Sequence, residues 1–118
     1  MVAEDEPNIV ESLSFILERA GFEVLVALDG ESAIDCAREQ RPDLLLLDVM
    51  LPGRNGFEIL KALKEGAATA SIPVLMLTAK GQDRDRRTAQ DLGADAFMTK
   101  PFSNREVLEC VHSLLSRR

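Results

Sequence analysis

Two hydrophobic periods alternate along the chain, one typical of buried strands and the other of helices. Short apolar runs occur five times, and a helical stretch follows each of them. Four of these stretches have apolar residues every three or four positions, whereas the one from about Gln82 to Leu92 is polar and rich in arginine. The runs cover residues 1–3, 24–27, 44–47, 74–77 and 96–98. The run 44–47 consists only of leucines, and such continuous runs indicate strands buried on both faces, as in a parallel sheet covered by helices. The pattern predicts an α/β fold.

Turn and capping residues separate five predicted helices from these strands. The first helix places its apolar face on Ile9, Leu13, Ile16, Leu17 and Ala20. Gly21 ends the first helix, and the turn pair Asp29-Gly30 and Pro42 flank the second helix. The loop 52–56 precedes the third helix, and the fourth helix runs from about Gln82 to Leu92. A capping box of Ser103 and Glu106 precedes the fifth helix. Five strands alternating with five helices predict a doubly wound, flavodoxin-like parallel sheet with strand order 2-1-3-4-5.

Length and charge limit the functions that the chain can have. Its 118 residues, 46% of them hydrophobic, are enough for one domain, 1–118, but not for two. A formal net charge of -6 argues against direct binding of nucleic acid or of an anionic membrane. The apolar runs are far shorter than the roughly 20 residues that span a bilayer, and the N-terminus lacks the features of a signal peptide. A cytoplasmic protein is expected.

Cysteine and histidine offer little chemistry in this sequence. Cys36 and Cys110 are far apart, and His112 is the only histidine that a metal could share with them. Zinc binding and thiol redox chemistry are therefore poorly supported. We expect both cysteines in or near the core and His112 at the surface or its boundary.

Four of the five predicted strands end in residues that carry chemistry. Glu4-Asp5 follows the first strand, Asp48 the third, Thr78 the fourth and Lys100 the fifth, whereas the apolar pair Ala27-Leu28 follows the second. Ligands of such sheets bind outside the carboxyl ends of the strands, at the switch point, here between strands one and three. The three carboxylates are therefore expected to converge there and to form an acidic pocket.

An acidic pocket of this kind favours a hard divalent cation, because carboxylates at short range repel one another unless a cation is present. Oxygen ligands and room for water suit Mg2+, which usually works beside a phosphoryl group. Lys100 offers such a group a positive charge and Thr78 a hydroxyl donor, so the set fits phosphoryl transfer to a carboxylate. The structural alternatives are a solvated acidic turn for residues 4–6, a helix N-cap for Asp48, a plain strand end for Thr78 and a surface side chain for Lys100. Together they would require four independent coincidences.

Five motifs spread over the chain are highly specific in combination. They are Glu4-Asp5-Glu6-Pro7-Asn8, the segment from Leu45 to Gly53, Asn55-Gly56-Phe57-Glu58, the segment from Pro73 to Ala79, and Lys100-Pro101-Phe102. With them the whole sequence resembles the response-regulator receiver domains of two-component signalling. The resemblance implies that Asp48 accepts a phosphoryl group from a sensor histidine kinase or a phosphotransfer protein. The domain would not be an enzyme, although it would assist both its own phosphorylation and its own dephosphorylation, the latter being slow.

The resemblance also assigns roles around the acceptor. It implies that Mg2+ is bound by Glu4, Asp5, Asp48 and the backbone carbonyl of Met50, and that Thr78 and Lys100 contact the phosphoryl oxygens. The Lys100-Pro101 bond is expected to be cis, because the chain must turn into helix five while Lys100 points back at Asp48, and relatives achieve this with a cis bond.

A switch requires a surface that changes. The aromatic switch position of the family is Phe97 here, where many relatives have tyrosine, and without a hydroxyl the ring has no polar reason to prefer an inward or an outward pose. Phosphorylation is expected to draw Thr78 and the loop 79–81 toward the phosphoryl group and to let Phe97 repack. An output domain or protein would read the resulting face of helix four, strand five and helix five. A homodimer stays an open alternative.

The ends of the chain lead to a further expectation. The first strand is shorter than a central strand usually is, so residues are expected to precede Met1 in the full protein. The sequence stops at Arg118, shortly after helix five. It leaves open whether the domain is free-standing or part of a larger regulator.

Two rival functions follow from the same residues. A phosphatase that turns over an aspartyl-phosphate would need a second acid two residues after the nucleophile, and that position is Met50, which cannot transfer protons. A receiver-shaped interaction domain that is never phosphorylated would have lost the acceptor, the acids or the lysine, and the sequence retains all of them. Nucleotide binding is weaker still, because no phosphate-binding glycine motif is present.

Overall fold

The computed structural model describes residues 1–53, 55–78 and 83–116. Strands and helices alternate along these residues. The strands are β1 (Val2–Ala3), β2 (Val26–Ala27), β3 (Leu45–Asp48), β4 (Val74–Thr78) and β5 (Ala96–Thr99). The helices are α1 (Pro7–Arg19), α2 (Gly30–Gln40), α3 (Gly56–Glu65), α4 (Asp83–Asp91) and α5 (Asn104–Ser116).

The strands form one parallel sheet in the order β2-β1-β3-β4-β5. This confirms the predicted fold class and topology. β1 lies between β2 and β3, with Ala3 opposite both Ala27 and Leu47. The carboxyl ends of β1 and β3 are therefore neighbours, and the chain departs from them toward different helices. That is the switch point at which a ligand site is expected.

Burial is deepest in the centre of the sheet. Every residue of β3 and β4 is buried, whereas all four residues of β5 are half-buried. Because successive side chains of a strand point to opposite faces, the leucines of β3 divide between two apolar clusters. Leu45 and Leu47 pack with α2 and α3, and Leu46 packs with α1 and α5. The two helical layers thus enclose the strand that ends in Asp48.

Several predicted boundaries shift in the structure, although α2 begins at the predicted pair Asp29-Gly30. There the carboxylate of Asp29 accepts a hydrogen bond from Ser32 N at 2.9 Å and caps the helix. Ala20 is exposed rather than part of the buried face, because α1 ends at Arg19 and Gly21, with a φ of +95°, reverses the chain. β2 is two residues shorter than predicted, and Thr99 is added to β5. The loop 79–81 and Gln82, where α4 was predicted to begin, lie outside the described residues.

Other expectations are confirmed. Ser103 and Glu106 form the capping box, with each side chain accepting a hydrogen bond from the other residue's backbone N–H, at 3.1 and 3.3 Å. Neither Cys36 nor Cys110 is in a disulfide, both are half-buried against the two apolar clusters, and His112 is exposed. The Lys100-Pro101 bond is cis.

None of the helices in the described ranges combines the length and apolar character that a membrane span needs.

Candidate functional site

Three carboxylates meet at the carboxyl ends of β1 and β3. One oxygen each from Glu4, Asp5 and Asp48 lies within 4.8 Å of the others. Glu4 and Asp48 are buried, and Asp5 is exposed at the rim. The parallel register of β1 and β3 explains this convergence, because Ala3 and Leu47 are opposite each other and the next residues along the chain are Glu4 and Asp48. The acidic pocket is therefore a direct product of the strand order.

Glu4 is the most deeply buried acid of the site, with 1% of its surface exposed. Its Oε2 accepts hydrogen bonds from the backbone N–H groups of Asp5 and Glu6, at 3.0 and 3.3 Å. Its Oε1 accepts a hydrogen bond from Lys100 Nζ at 2.6 Å. Both carboxylate oxygens of Glu4 are thus engaged by the protein itself, which fixes the orientation of the side chain.

Lys100 binds Glu4 more closely than it binds Asp48. Its Nζ is 2.6 Å from Glu4 Oε1 and 3.5 Å from Asp48 Oδ1. The sequence predicts that Lys100 points at Asp48, whereas the nearest partner of Lys100 in the structure is Glu4. The ammonium group, with its side chain 15% exposed, bridges the two strand ends from β5. It supplies the positive charge that the cluster of carboxylates otherwise lacks.

The pKa values of this pair reflect burial and mutual contact. Burial raises the pKa of Glu4, the hydrogen bond with Asp48 raises it further, and the opposing effect of Lys100 does not offset them. Burial by itself lowers the pKa of Lys100, but the hydrogen bond to Glu4 and the charges of Asp48 and Glu4 outweigh burial. The Lys100 pKa consequently lies above its usual range, and Lys100 is a cation at neutral pH.

The loop after β3 holds Asp48 in place through its backbone. Asp48 Oδ1 accepts a hydrogen bond from Met50 N at 3.2 Å. Gly56 N donates to Val49 O at 2.7 Å, and a Cβ on Gly56 would come within 2.5 Å of Asp48 O. Only glycine allows this close approach, and Asn55, whose side chain accepts from Phe57 N at 2.7 Å, caps α3 at the same point. The Asn55-Gly56 pair therefore anchors the start of α3 against the strand end that carries Asp48.

Thr78 and Phe97 lie on the side of the site away from β1. Thr78 is buried at the end of β4, opposite Thr99 of β5, and its carbonyl accepts a hydrogen bond from Lys100 N at 2.7 Å. Phe97 of β5 is half-buried, opposite Met76. The guanidinium carbon of Arg86 on α4 lies 5.2 Å from the centroid of the Phe97 ring. The structure thus brings the backbone of Thr78 next to Lys100 and places Phe97 under α4.

Comparison with known proteins decides the family. Residues 1–112 match the family of response regulator receiver domains. The chain belongs to this family. The alkaline phosphatase synthesis transcriptional regulatory protein PhoP of Bacillus subtilis is 46% identical to this receiver domain over 117 residues, which cover 99% of the chain and 48% of PhoP. The receiver domain thus spans about half the length of this curated relative.

Solved receiver structures have the same architecture. A response regulator from Chloroflexus aurantiacus is 33% identical, with a TM-score of 0.93 and coverage of 98% of this chain and 94% of that one. The receiver domain of the sensor histidine kinase PA1611 from Pseudomonas aeruginosa is 25% identical, with a TM-score of 0.90 and coverage of 98% and 94%. That structure contains a magnesium ion coordinated in its active site cleft. Kinship with phospho-accepting signalling domains is therefore established by sequence and by fold.

Three features of the receiver domain's site do not follow from the hydrophobic pattern. The Glu4–Lys100 contact joins residues 96 positions apart, and the pattern treats the three acids alike. The close approach of Gly56 to Asp48 has a local signal, since Asn-Gly pairs mark turns and helix starts. The position of Arg86 over Phe97 has none, because three arginines of α4 look equivalent in the sequence.

Proposed function

We propose that Asp48 is the phospho-acceptor of a signalling switch and receives its phosphoryl group from a sensor histidine kinase or a phosphotransfer protein. The observation that carries this proposal is the position of Asp48. It is a buried carboxylate at the end of the central strand, within 4.8 Å of oxygens of Glu4 and Asp5 and 3.5 Å from Lys100 Nζ. Membership of the receiver family supports the same assignment.

The donor set fits Mg2+. Mg2+ prefers oxygen ligands, keeps several waters and takes one or two protein carboxylates. Asp5 and Asp48 suit this role best, because Asp5 is exposed and both oxygens of Glu4 already accept hydrogen bonds from the protein. We therefore assign direct contact to Asp5, Asp48 and the backbone carbonyl of Met50, with Glu4 completing the acidic set beside Lys100. When bound, Mg2+ supplies positive charge that offsets the repulsion among carboxylate and phosphoryl oxygens.

The transfer step needs little covalent help from the protein. A carboxylate oxygen of Asp48 attacks the phosphorus of a phosphohistidine, so that a P–O bond forms and the P–N bond breaks. The electron pair of that bond stays on the ring nitrogen, and the imidazole, whose other ring nitrogen already carries a proton in the phosphohistidine, leaves neutral. Lys100 contributes a cation close to Asp48, and its bond to Glu4 aims the ammonium group at the pocket. The Thr78 hydroxyl is assigned to a phosphoryl oxygen as well. Catalysis in this account is positioning and charge neutralisation.

A mark on Asp48 is expected to last rather than to be turned over rapidly. The position two residues after the acceptor, which a phosphatase would use for proton transfer, carries the apolar and 73% exposed side chain of Met50. The domain would thus assist its own phosphorylation, and it would assist a dephosphorylation that is only slow. An interaction domain that works without phosphorylation is the remaining rival.

The face formed by α4, β5 and α5 is proposed to change on phosphorylation and to be the surface that an output partner binds. The described part of α4 buries only Ala89, so few core contacts oppose its movement. An output domain or protein, or a second copy of the chain, would read this face. PhoP is named a transcriptional regulator, so a transcriptional output elsewhere in the full protein is a reasonable proposal, with the receiver domain itself contacting no nucleic acid. A cytoplasmic location and a single domain over residues 1–118 belong to the same proposal.

Phosphorylation with acetyl phosphate and Mg2+ tests the acceptor. Intact-mass spectrometry is expected to show one phosphoryl group on the wild type and none on Asp48→Asn. Asp35→Asn, which removes an exposed carboxylate from α2, serves as the matched control and is expected to be labelled like the wild type. Labelling of Asp48→Asn at the wild-type rate would refute the assignment. No labelling of any variant, by acetyl phosphate or by a phosphorylated phosphotransfer protein, would favour the phosphorylation-independent rival.

A further inference from the structure

The ring of Phe97 is in contact with a charged side chain, the guanidinium group of Arg86. A phenylalanine ring lacks the hydroxyl through which a tyrosine could prefer one pose over another. In this structure the ring is half-buried, packed against the apolar cluster that includes Ala89, and the Arg86 guanidinium lies over it at 5.2 Å. A guanidinium within about 6 Å of a ring centroid is attracted by the negative face of the ring. The contact gives Phe97 a reason to stay in the pose described here.

Arg86 is available for this contact. Among the ion pairs between residues of the described ranges, none involves Arg86. Its side chain is exposed, as are those of Arg84 and Arg87, but of these three cations Arg86 is the one whose guanidinium lies over an aromatic ring. Because Ala89 is the one buried residue of α4, which spans Asp83–Asp91, few buried side chains hold this helix, and the Arg86–Phe97 contact adds a link between it and β5.

We infer that Arg86 is a positioning residue for the switch, and that its guanidinium stabilises Phe97 in the resting pose. The inference rests on the proposed function, because it assigns a resting and an activated pose to Phe97. A contact made in only one of two states shifts their equilibrium by its own free energy. Loss of a partly exposed cation–π contact is expected to favour the activated state about two- to five-fold.

The resting state provides the first test. Ring 13C–1H correlation spectra of Phe97, assigned through Phe97→Leu, are compared in the wild type, Arg86→Gln and Arg86→Lys. We expect the ring signals to move in Arg86→Gln and to return part of the way in Arg86→Lys, because an ammonium group also binds aromatic faces. Arg87→Gln removes the same charge from the same helix and is expected to leave them in place. Ring signals that respond equally to Arg86→Gln and Arg87→Gln would overturn the inference.

Beryllofluoride, a phosphoryl mimic, provides the second test when it is titrated with Mg2+ into a double-mutant cycle of Arg86→Gln and Phe97→Leu. Arg86→Gln is expected to tighten apparent beryllofluoride binding about two- to five-fold in the wild type and not in the Phe97→Leu background. An equal effect in both backgrounds, or no effect in the wild type, would contradict the role of Arg86. If the wild type fails to bind beryllofluoride, the proposed function fails instead, and the resting-state spectra still decide the Arg86–Phe97 contact.

Discussion

The centre of the sheet and its α4–β5 edge differ in how firmly they are packed. β3 and β4 are buried along their whole length and carry Asp48 and Thr78 at their ends. β5 is half-buried throughout, and α4, with its alternating charges, buries only Ala89 among its described residues. Lys100 follows the half-buried strand but forms its closest contact with Glu4, next to the centre. The chemistry thus lies on the rigid part of the fold, and the adjoining edge is free to respond.

This difference explains how the domain can hold its reacting groups firmly and still have a neighbouring surface that moves. Groups that position a reacting phosphoryl group need side chains held by packing, which β1 and β3 provide. Elements that move cheaply are those with few buried apolar contacts, which α4 and β5 have. The two properties occupy neighbouring strands, joined at Thr78 and Lys100.

Core truncation on the two sides of the contrast should have unequal costs. Leu47→Ala in β3 removes a fully buried side chain and is expected to lower the free energy of unfolding by about 2–5 kcal/mol. Leu92→Ala, next to α4, removes a half-buried side chain and is expected to cost about 1 kcal/mol. Urea unfolding followed by circular dichroism measures both values. Equal costs would remove the distinction between a rigid centre and a loosely packed edge.

Removal of Lys100 should destabilise the Mg2+-free domain. Lys100→Met leaves Glu4 buried without its closest cation, and we expect a loss of about 1–3 kcal/mol in the free energy of unfolding. Lys61→Met, at an exposed position of α3, is the matched control and should change stability by no more than about 0.5 kcal/mol. Urea unfolding in the presence of a chelator measures both. A Lys100→Met variant as stable as the control would show that the Glu4–Lys100 bond contributes nothing.

Stabilisation by Mg2+ should depend on Asp5. At ten times its dissociation constant, a ligand of the native state raises the free energy of unfolding by about 1.4 kcal/mol. Thermal unfolding with and without Mg2+ is expected to show this gain for the wild type and for Asp35→Asn. Asp5→Asn should lose most of it, since the exposed Asp5 is the acid that water-bound Mg2+ reaches first. An undiminished gain in Asp5→Asn would place the ion elsewhere.

Thr78 should couple the centre to the edge. Thr78→Ala is expected to retain phosphorylation on Asp48 but to weaken the response of α4 and β5 to beryllofluoride, because a hydroxyl contact of about 1 kcal/mol is lost in the activated state. Thr78→Ser retains the hydroxyl and should respond like the wild type. Amide chemical shifts of the described parts of α4 and β5 give the readout. A full response in Thr78→Ala would exclude coupling through this side chain.

Much of this organisation could be predicted from the sequence. Continuous leucines identify β3 as a strand that is covered on both faces. The strand order then places the acids at the carboxyl ends of β1 and β3 next to each other. Side-chain partners could not be predicted in the same way. The Lys100 ammonium group lies 2.6 Å from an oxygen of Glu4 and 3.5 Å from an oxygen of Asp48, and hydrophobic periodicity carries no information about a difference of this size. Asp29 shows the same limit, because the Asp-Gly pair marks the boundary before α2 but does not identify Ser32 as the partner of the Asp29 carboxylate.

Amide hydrogen exchange with and without Mg2+ and beryllofluoride tests the central contrast most directly. Exchange is expected to change in the described residues of α4 and in β5, while the amides of β3 and β4 keep their slow exchange. Asp48→Asn is expected to abolish these changes, because the mimic then has no acceptor carboxylate. Changes of equal size in β3 and β4, or changes that persist in Asp48→Asn, would show that the centre of the sheet and its α4–β5 edge do not differ in this way.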